Sequence, residues 1–460
     1  MGDDTTTQCW LFSELDRRTV SVRFDQERGS SDGGAVLLGA ADRRLGLTKA
    51  LAGCIEDGRG AGRVVHEIDD LVRQRVYAIA CGYPDGNDAA RLALDPVHKL
   101  LVGRAPGEER PLASQPTLSR FENGVDRADL FRLSEALADR VIERHRYHRR
   151  GRARVVTIDM DQTDDPTHGE QQLSLFNGYY DSWCYLPLLA FMSFDDEPDQ
   201  YLLATVLRPG NSPDKRGARG VLSRLLPRLR KAFPKAQVRV RLDAGFAAPE
   251  VLDFLDEQGD VEYVVAIGKN AVLLRRVGKH MATARRLSKE SGKTEHVYAE
   301  TLYAAKKNWP QRRRIIMKAE VTRHPGREPK DNPRFVITNL TQTPRWVYEH
   351  VYCGRGDVEN RIKELHHGLE IDRTSCSRFL ANQFRLILTA AAYVLMQDLR
   401  LRAARTKLAR AQVWTLRDAL IKIGAQVTTS VRRVVLALPR CFPYVEAWGV
   451  IAHSLGACAP

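Results

Sequence analysis

Val155 to Thr163 reads VVTIDMDQT, and Val238 to Phe246 reads VRVRLDAGF. In an extended chain successive side chains point to opposite faces. Val156, Ile158 and Met160 therefore share one face of the first stretch, and Thr157, Asp159 and Asp161 the other. In the second, Val238, Val240 and Leu242 lie opposite Arg239, Arg241 and Asp243. Each reads as a strand with one buried side and a carboxylate at its C-terminal end. Around them Tyr185 to Phe194, Leu202 to Leu207 and Glu262 to Ile267 read as further strands. Gly220 to Phe233 and Pro249 to Gln258 read as helices, the latter with Pro in its first turn. Strands that run into helices predict an α/β fold around an open sheet. Open sheets bind ligands where the strands end.

Outward from this centre the texture changes. The first ~140 residues are mostly helical in pattern, with an apolar stripe over Val64 to Cys81. Ala113 to Glu122 looks like a capped helix start tipped by Arg120, which suits either an ordinary helix or a helix-turn-helix element reading DNA. Arg144 to Arg154 (RHRYHRRGRAR) holds six Arg and no acid, a linker whose Arg149 and Arg150 can pair with phosphates. Lys269 to Arg345 carries short β-like runs, Arg313 to Val321 and Arg334 to Leu340, between polar stretches. Trp346 to Leu369 is helical in pattern, Asn382 to Arg400 a long apolar helix, and the last ~60 residues mix helix with a strand-like Val431 to Leu438.

The chain has 460 residues, enough for two to four domains at about 100–200 residues each. Its 71 Lys and Arg against 57 Asp and Glu leave a net charge of +14, which favours a polyanionic partner, nucleic acid before an anionic membrane. The apolar run Leu386 to Met396, bracketed by Arg385 and Asp398, is too short to span a bilayer and reads as a buried helix. The start MGDDTTTQCW lacks the basic and apolar segments of a signal peptide. Eight scattered Cys without a C-x-x-C pair fit reduced thiols. Together these predict a cytoplasmic protein with no membrane partner.

A third acid completes a pattern. Tyr352, Arg355, Glu359, Lys363 and His366 are spaced three or four apart, on one face of a helix. Val358, Ile362, Leu365 and Leu369 form a separate apolar stripe. Three carboxylates from separate elements suit two hard cations, Mg²⁺ or Mn²⁺. Such a pair, about 3.5–4 Å apart, activates a water or hydroxyl and stabilises the leaving oxygen of a phosphodiester. Nearby cations would bind the neighbouring phosphates.

Asp161-Gln-Thr163, Asp243 within Arg241-Leu-Asp-Ala-Gly-Phe246, and Tyr352-x2-Arg355-x3-Glu359 resemble the DDE signature of bacterial insertion-sequence transposases. Asp159 to Pro187 (DMDQTDDPTHGEQQLSLFNGYYDSWCYLP) is similar to the branch called insertion sequence family thirteen-eighty. The resemblance covers about Val155 to Arg400 and, more weakly, Leu112 to Asn123. It implies an RNase H-like catalytic core with Asp161, Asp243 and Glu359 as catalytic metal ligands, interrupted by a β-rich insertion, behind a mostly helical N-terminal DNA-binding region. The expected division is 1–150 for that region with its basic linker, 151–268 and 346–400 for the two parts of the core, 269–345 for the insertion, and 401–460 for a C-terminal region. The implied activity is binding of terminal inverted repeats, cleavage of the DNA ends and joining of 3′-hydroxyls to target DNA, by a homodimer in a synaptic complex. A catalytically silent DNA-binding regulator and a nuclease without strand transfer are the alternatives.

The related signature continues with Lys seven positions after the Glu; here that position is His366, with Lys363 one turn after Glu359. Asp159 shares a face with Asp161 and is the alternative ligand. Arg239 and Arg241, on the face of Asp243, are expected to bind phosphate. Trp346 and Trp309, the latter in a basic loop from Lys306 to Arg312, suit either packing or stacking on a flipped base. No phosphate-binding G-x-x-x-x-G-K-[ST] loop is present, and phosphodiester exchange needs none.

Overall fold

The structure is a computed structural model that describes residues 9–23, 25–60, 62, 64–305 and 309–458. A mixed sheet of nine strands crosses the molecule. In chain order these are β1 (Val155–Gln162), β2 (Leu188–Phe194), β3 (Tyr201–Val206), β4 (Gln237–Leu242), β5 (Val261–Ile267), β6 (Glu295–Ala305), β7 (Trp309–Thr322), β8 (Lys330–Asp331) and β9 (Arg334–Thr338). Across the sheet the order is β6-β7-β9-β5-β4-β1-β2-β3, with β8 on β7. β1, β4 and β5 are parallel, and the flanking strands pair antiparallel.

The alternation read from sequence sets this centre. Val156, Ile158, Met160, Val238, Val240 and Leu242 are all buried, each contributing about 1.5–3 kcal/mol. The register pairs Arg241 with Asp159 and Leu242 with Met160. One residue further on, Asp161 and Asp243 therefore leave the sheet side by side. The helices Ala218–Ala232 and Pro249–Glu257 precede β4 and β5, as parallel neighbours require.

The helix Phe379–Arg402 is the hub. Every residue from Ala381 to Arg400 is buried, packed against the helices Ile68–Ala80 and Arg127–His148 and the strand β3. It is long and apolar enough to cross a membrane by length and composition, yet it lies inside the protein. Its charged flanks are paired within the fold. Arg385 holds Glu122 at 2.7 Å, while Asp398 holds Arg144 and Arg402 at 2.5 and 2.6 Å. Glu122 also meets Arg75 at 2.7 Å, so the helix Gln115–Gly124 is locked to the hub by a buried Arg–Glu–Arg triad.

Two readings need correction. Tyr185 to Phe194 is not one strand: Ser182–Tyr185 joins a small separate sheet with Leu175–Asn177 and Asp165–Pro166, and β2 starts only at Leu188. The break falls at Pro187, whose nitrogen has no proton for a ladder. The stretch 269–345 opens with a 21-residue helix, Ala271–Ser291, whose buried stripe is Leu273, Val277, Met281, Ala284 and Ser288. Of its strands, β9 bonds β5 and extends the central sheet. One apolar cluster runs from Ala35 to Leu455, and a smaller one joins Val264 and Ala266 of β5 to Ile316, Val336, Leu340, Val347, Tyr348 and Val351.

Candidate active site

The two strand-end carboxylates are oriented by their own backbones. The Gln162 N–H donates to Asp161 Oδ1 at 3.0 Å, and the Gly245 N–H donates to Asp243 Oδ1 at 3.0 Å. Each carboxylate thus keeps Oδ2 for a shared partner. Arg355 Nη2 donates to Asp161 Oδ2 at 3.0 Å and lies 3.5 Å from Asp243 Oδ2. Burial pushes the Asp161 carboxyl up to about 6; Arg355 opposes the shift, and the Asp243 and Glu359 charges reinforce it. Burial also raises Asp243, against Arg355 and with a push from Asp214. The site is an anionic pair in poor contact with water, short of positive charge.

The third carboxylate comes from a broken helix. Val347–Tyr352 is a π turn and Cys353–Gly356 a 3₁₀ turn, and the regular helix begins at Asp357 and ends at Leu369. The common face expected for five residues therefore holds for Glu359, Lys363 and His366, while Tyr352 and Arg355 are delivered by the irregular turns. A π turn of this kind often marks a functional segment. Glu359 and Lys363 are exposed, and the Glu359 charge reaches Asp161. Tyr352 is half-buried beside Tyr348, ring centroids 5.3 Å apart. Burial raises its phenol; Arg355 opposes the shift and the Asp243 charge adds to it.

Several expected DNA contacts are engaged elsewhere. Arg241 is buried and bidentate to Asp159, at 2.7 and 2.6 Å, and donates to the Val351 carbonyl at 3.1 Å. A β-carbon on Gly354 would lie 2.4 Å from its Nη1. Arg241 is therefore the strut that holds the Val347–Gly356 turns over the strand ends, and not a free phosphate binder. Asp159, fully buried and saturated by Arg241, is not available as a metal ligand. Arg239 is paired with Glu262 at 2.6 Å. His366 bridges Thr163 Oγ1 at 2.7 Å and Asp372 at 3.2 Å, which ties the helix Asp357–Leu369 to the end of β1. Arg149 pairs with Glu197 and covers the Phe194 ring at 4.0 Å. Arg150 and Arg120 are exposed. Trp346 stacks on His350 at 5.8 Å. Trp309 is buried, walling a cavity of about 520 Å³ beside Ala244 and Ala247. The basic run 306–308 before it lies outside the described residues.

The sequence reading missed a layer behind the carboxylates. Buried Arg208 donates to the Leu186, Asp214 and Arg216 carbonyls and to Gln162 Oε1, the last at 2.7 Å. Burial pushes its guanidinium down to about 10. Gln162 in turn donates to Asp214 Oδ1 at 2.6 Å. Asp214 Oδ2 lies 1.8 Å from where a β-carbon on Gly245 would stand, so Gly245 is what admits a fourth carboxylate beside Asp243. A glycine directly after a strand-end Asp-Ala was the available signal. Next to this layer the hairpin Leu175–Asn177 and Ser182–Tyr185 exposes Phe176, Tyr179 and Trp183, with the Tyr180 phenol raised by burial and by Asp164 and Asp161.

Clustered carboxylate oxygens around a shared cationic nitrogen suit a hard divalent cation. A second acidic cluster is of another kind. Asp32, Cys81 and His98 are buried together, but Asp32 already holds His98 at 2.9 Å and the Lys422 ammonium at 2.8 Å. Burial raises the Cys81 thiol. Lys422 supplies the counter-charge, so the cluster is an ion-paired core network.

A family model described as transposase DDE domain, group 1, matches residues 12–458. No curated protein matches the chain. Among solved structures, it is similar to a piggyBac transposase in a synaptic complex with hairpin DNA, at 10% identity over 93% of this chain and 82% of that one, with a TM-score of 0.41.

Proposed function

The chain belongs to the DDE transposases of domain group 1, and we propose that it cuts and joins the ends of a bacterial insertion sequence, of the family thirteen-eighty branch, in the cytoplasm. The observation that carries this reading is the convergence of Asp161 Oδ2 and Asp243 Oδ2 on Arg355, with the Glu359 charge close by. Asp161, Asp243 and Glu359 are the residues that would hold Mg²⁺ or Mn²⁺, two ions in the full reading. When bound, such ions lower the pKa of a water or 3′-hydroxyl and stabilise the leaving oxygen.

The remaining roles fall to this chain's own side chains. Arg208, Gln162 and Asp214 hold the carboxylate loop in place. Arg355 leaves its carboxylates for a DNA phosphate when cations arrive, with Lys363 and Tyr352 beside it. Water attacks a phosphodiester at the element end, the bond from phosphorus to the 3′ oxygen breaks, and that oxygen leaves with a proton as a 3′-hydroxyl. In the joining step the 3′-hydroxyl attacks a target phosphodiester and displaces a new 3′-hydroxyl. Each bond formed replaces one broken, so no nucleotide is hydrolysed. In this reading the β1-to-β5 region and the helices around Glu359 form an RNase H-like core, residues 269–345 are its insertion, and the N-terminal helices with Arg120 recognise terminal repeats. Two ends require a homodimeric synaptic complex.

The test is cleavage and strand transfer on the element's terminal DNA with Mg²⁺ or Mn²⁺, wild type beside Glu359→Gln. Glu359 is exposed, so the variant should fold normally, within about 0.5 kcal/mol. Cutting and joining by wild type alone, with both binding DNA, supports the proposal. Cutting without joining makes it a nuclease. Binding without cutting by either makes it a DNA-binding regulator.

A further inference from the structure

The strands that end in Asp161 and Asp243 begin in a very different place. Just before β1 and β4 lies an open cleft of about 1370 Å³. Its walls are Gly151 and Arg152 ahead of β1, Lys231 to Lys235 ahead of β4, and the last turns of the helices Val36–Leu45, Arg127–His148 and Phe379–Arg402. Arg44, Arg146, Arg150, Arg152, Lys231 and Lys235 are exposed along it, and none has an ion-pair partner among the described residues. The other lining arginines are ion-paired: Arg140 with Glu143, and Arg144 and Arg402 with the one carboxylate of Asp398.

Basic residues at helix C-termini have an ordinary explanation, since each terminus is equivalent to about half a negative charge. Four termini meet here, counting that of Ala218–Ala232, and together they offset about two positive charges. Six unpaired cations exceed that by about four. Such an excess repels itself unless a polyanion lies across it. The cleft also stands apart from the carboxylates. β1 has eight residues, which at about 3.3 Å each place the two ends about 26 Å apart. That is the length of about eight base pairs.

We infer that this cleft is a second DNA-binding surface, gripping the phosphate backbone of a duplex about eight base pairs or more from the phosphate being cut, without reading its sequence. The inference rests on the transposase reading only for the choice of DNA as the polyanion. No base-reading side chain is needed, because guanidinium and ammonium groups on both walls meet phosphates of any sequence.

The experiment is fluorescence anisotropy of a labelled random-sequence duplex of about 30 base pairs, titrated with the full chain between about 50 and 200 mM NaCl. Wild type is compared with Arg150→Gln/Arg152→Gln/Lys231→Gln/Lys235→Gln. A control variant removes four exposed, unpaired cations elsewhere, Arg405, Lys407, Arg410 and Arg432, also to Gln. The slope of log K against log salt should become shallower by about 2–4 in the cleft variant, at about 0.9 per lost phosphate contact, and by much less in the control. Equal slopes for wild type and cleft variant, or equal losses in both variants, overturn the inference and leave the transposase reading standing. A wild type that binds no duplex at all removes the transposase reading itself. Binding to phosphatidylglycerol vesicles that the cleft variant loses, with its DNA slope unchanged, makes the cleft a membrane surface and also overturns it. Unfolding midpoints within about 2 °C of wild type show that the variants are folded.

Discussion

Asp161→Asn is expected to make the protein more stable and inactive. The wild-type carboxyl titrates at about 6 in the fold and at 3.8 ordinarily, with burial as the main cause. At about 1.36 kcal/mol per pH unit, ionising it inside the fold costs about 3 kcal/mol. That figure is already net of the Arg355 attraction. The sign follows from proton linkage. The folded form holds this proton more tightly than the unfolded chain, so stability falls as pH rises from about 4 to about 6 and stays lost above. Asn keeps the size and an oxygen for Arg355 while removing the charge. At pH 8 with a chelator, the variant should unfold about 2–6 °C above wild type, and the gap should close as pH falls below about 5. Added Mn²⁺ should raise the wild-type midpoint far more than the variant's. Thermal unfolding by circular dichroism from about pH 4 to pH 8, with and without Mn²⁺, measures all three. A variant less stable than wild type at pH 8, or a gap independent of pH, refutes the idea that the site holds unrelieved negative charge.

The buried Arg241–Asp159 pair should behave as a strut. Arg241→Met alone should cost about 3–5 kcal/mol by urea unfolding, and Asp159→Asn added to it should restore more than half. Glu122→Ala, which strands Arg75 and Arg385, should cost a similar amount, about 3–5 kcal/mol. Burial would raise the Glu122 carboxyl, but Arg75 and Arg385 hold it below its ordinary value. Its stabilisation should therefore be complete above about pH 4.5 and fade as pH falls through the folded value, a loss that Glu122→Gln should not show. Gly210→Ala would put a β-carbon 2.2 Å from the Cys184 and Leu175 carbonyl oxygens; hydrogen exchange should rise in 175–185 while the helix Phe379–Arg402 stays protected.

The two strands were legible because alternation over β1 and β4 separates buried from chemical faces residue by residue, and parallel pairing then brings Asp161 beside Asp243. Glu359 was legible through its three-and-four spacing to Lys363 and His366. What was hidden depends on partners distant in sequence. Arg241 shares a face with Asp243 and looks like a phosphate binder, until the register sets it against Asp159. The helix Ala271–Ser291 is the exception, since Leu273, Val277, Met281 and Ala284 recur at helical spacing and the Arg and Lys residues fill only the other faces. Asp214 sits in a polar loop with no periodicity, and only the packing of Arg208 and Gln162 brings it to the site. Local pattern encodes which way a side chain points; the register and the long-range ion pairs decide what it meets.

That difference explains why the chain places so many arginines where they cannot touch DNA. Arg75, Arg208, Arg241, Arg313, Arg385 and Arg400 are all buried, and each has hydrogen-bond acceptors within the fold. Removing a single buried partner costs several kcal/mol, so these cations are committed to structure. Net charge alone thus overstates the surface available to a polyanion. The exposed, unpaired cations are the ones that count, and six of them line one cleft where β1 and β4 begin, while the carboxylates stand where the same strands end. A duplex lying along those strands would meet attraction at one end and, until cations arrive, repulsion at the other. DNA binding should therefore survive without divalent metal and tighten when it is added, with the tightening lost in Asp161→Asn and the metal-independent part lost in the cleft variant. Metal-independent binding that vanishes in Asp161→Asn instead would show that both ends of the strands act as one site.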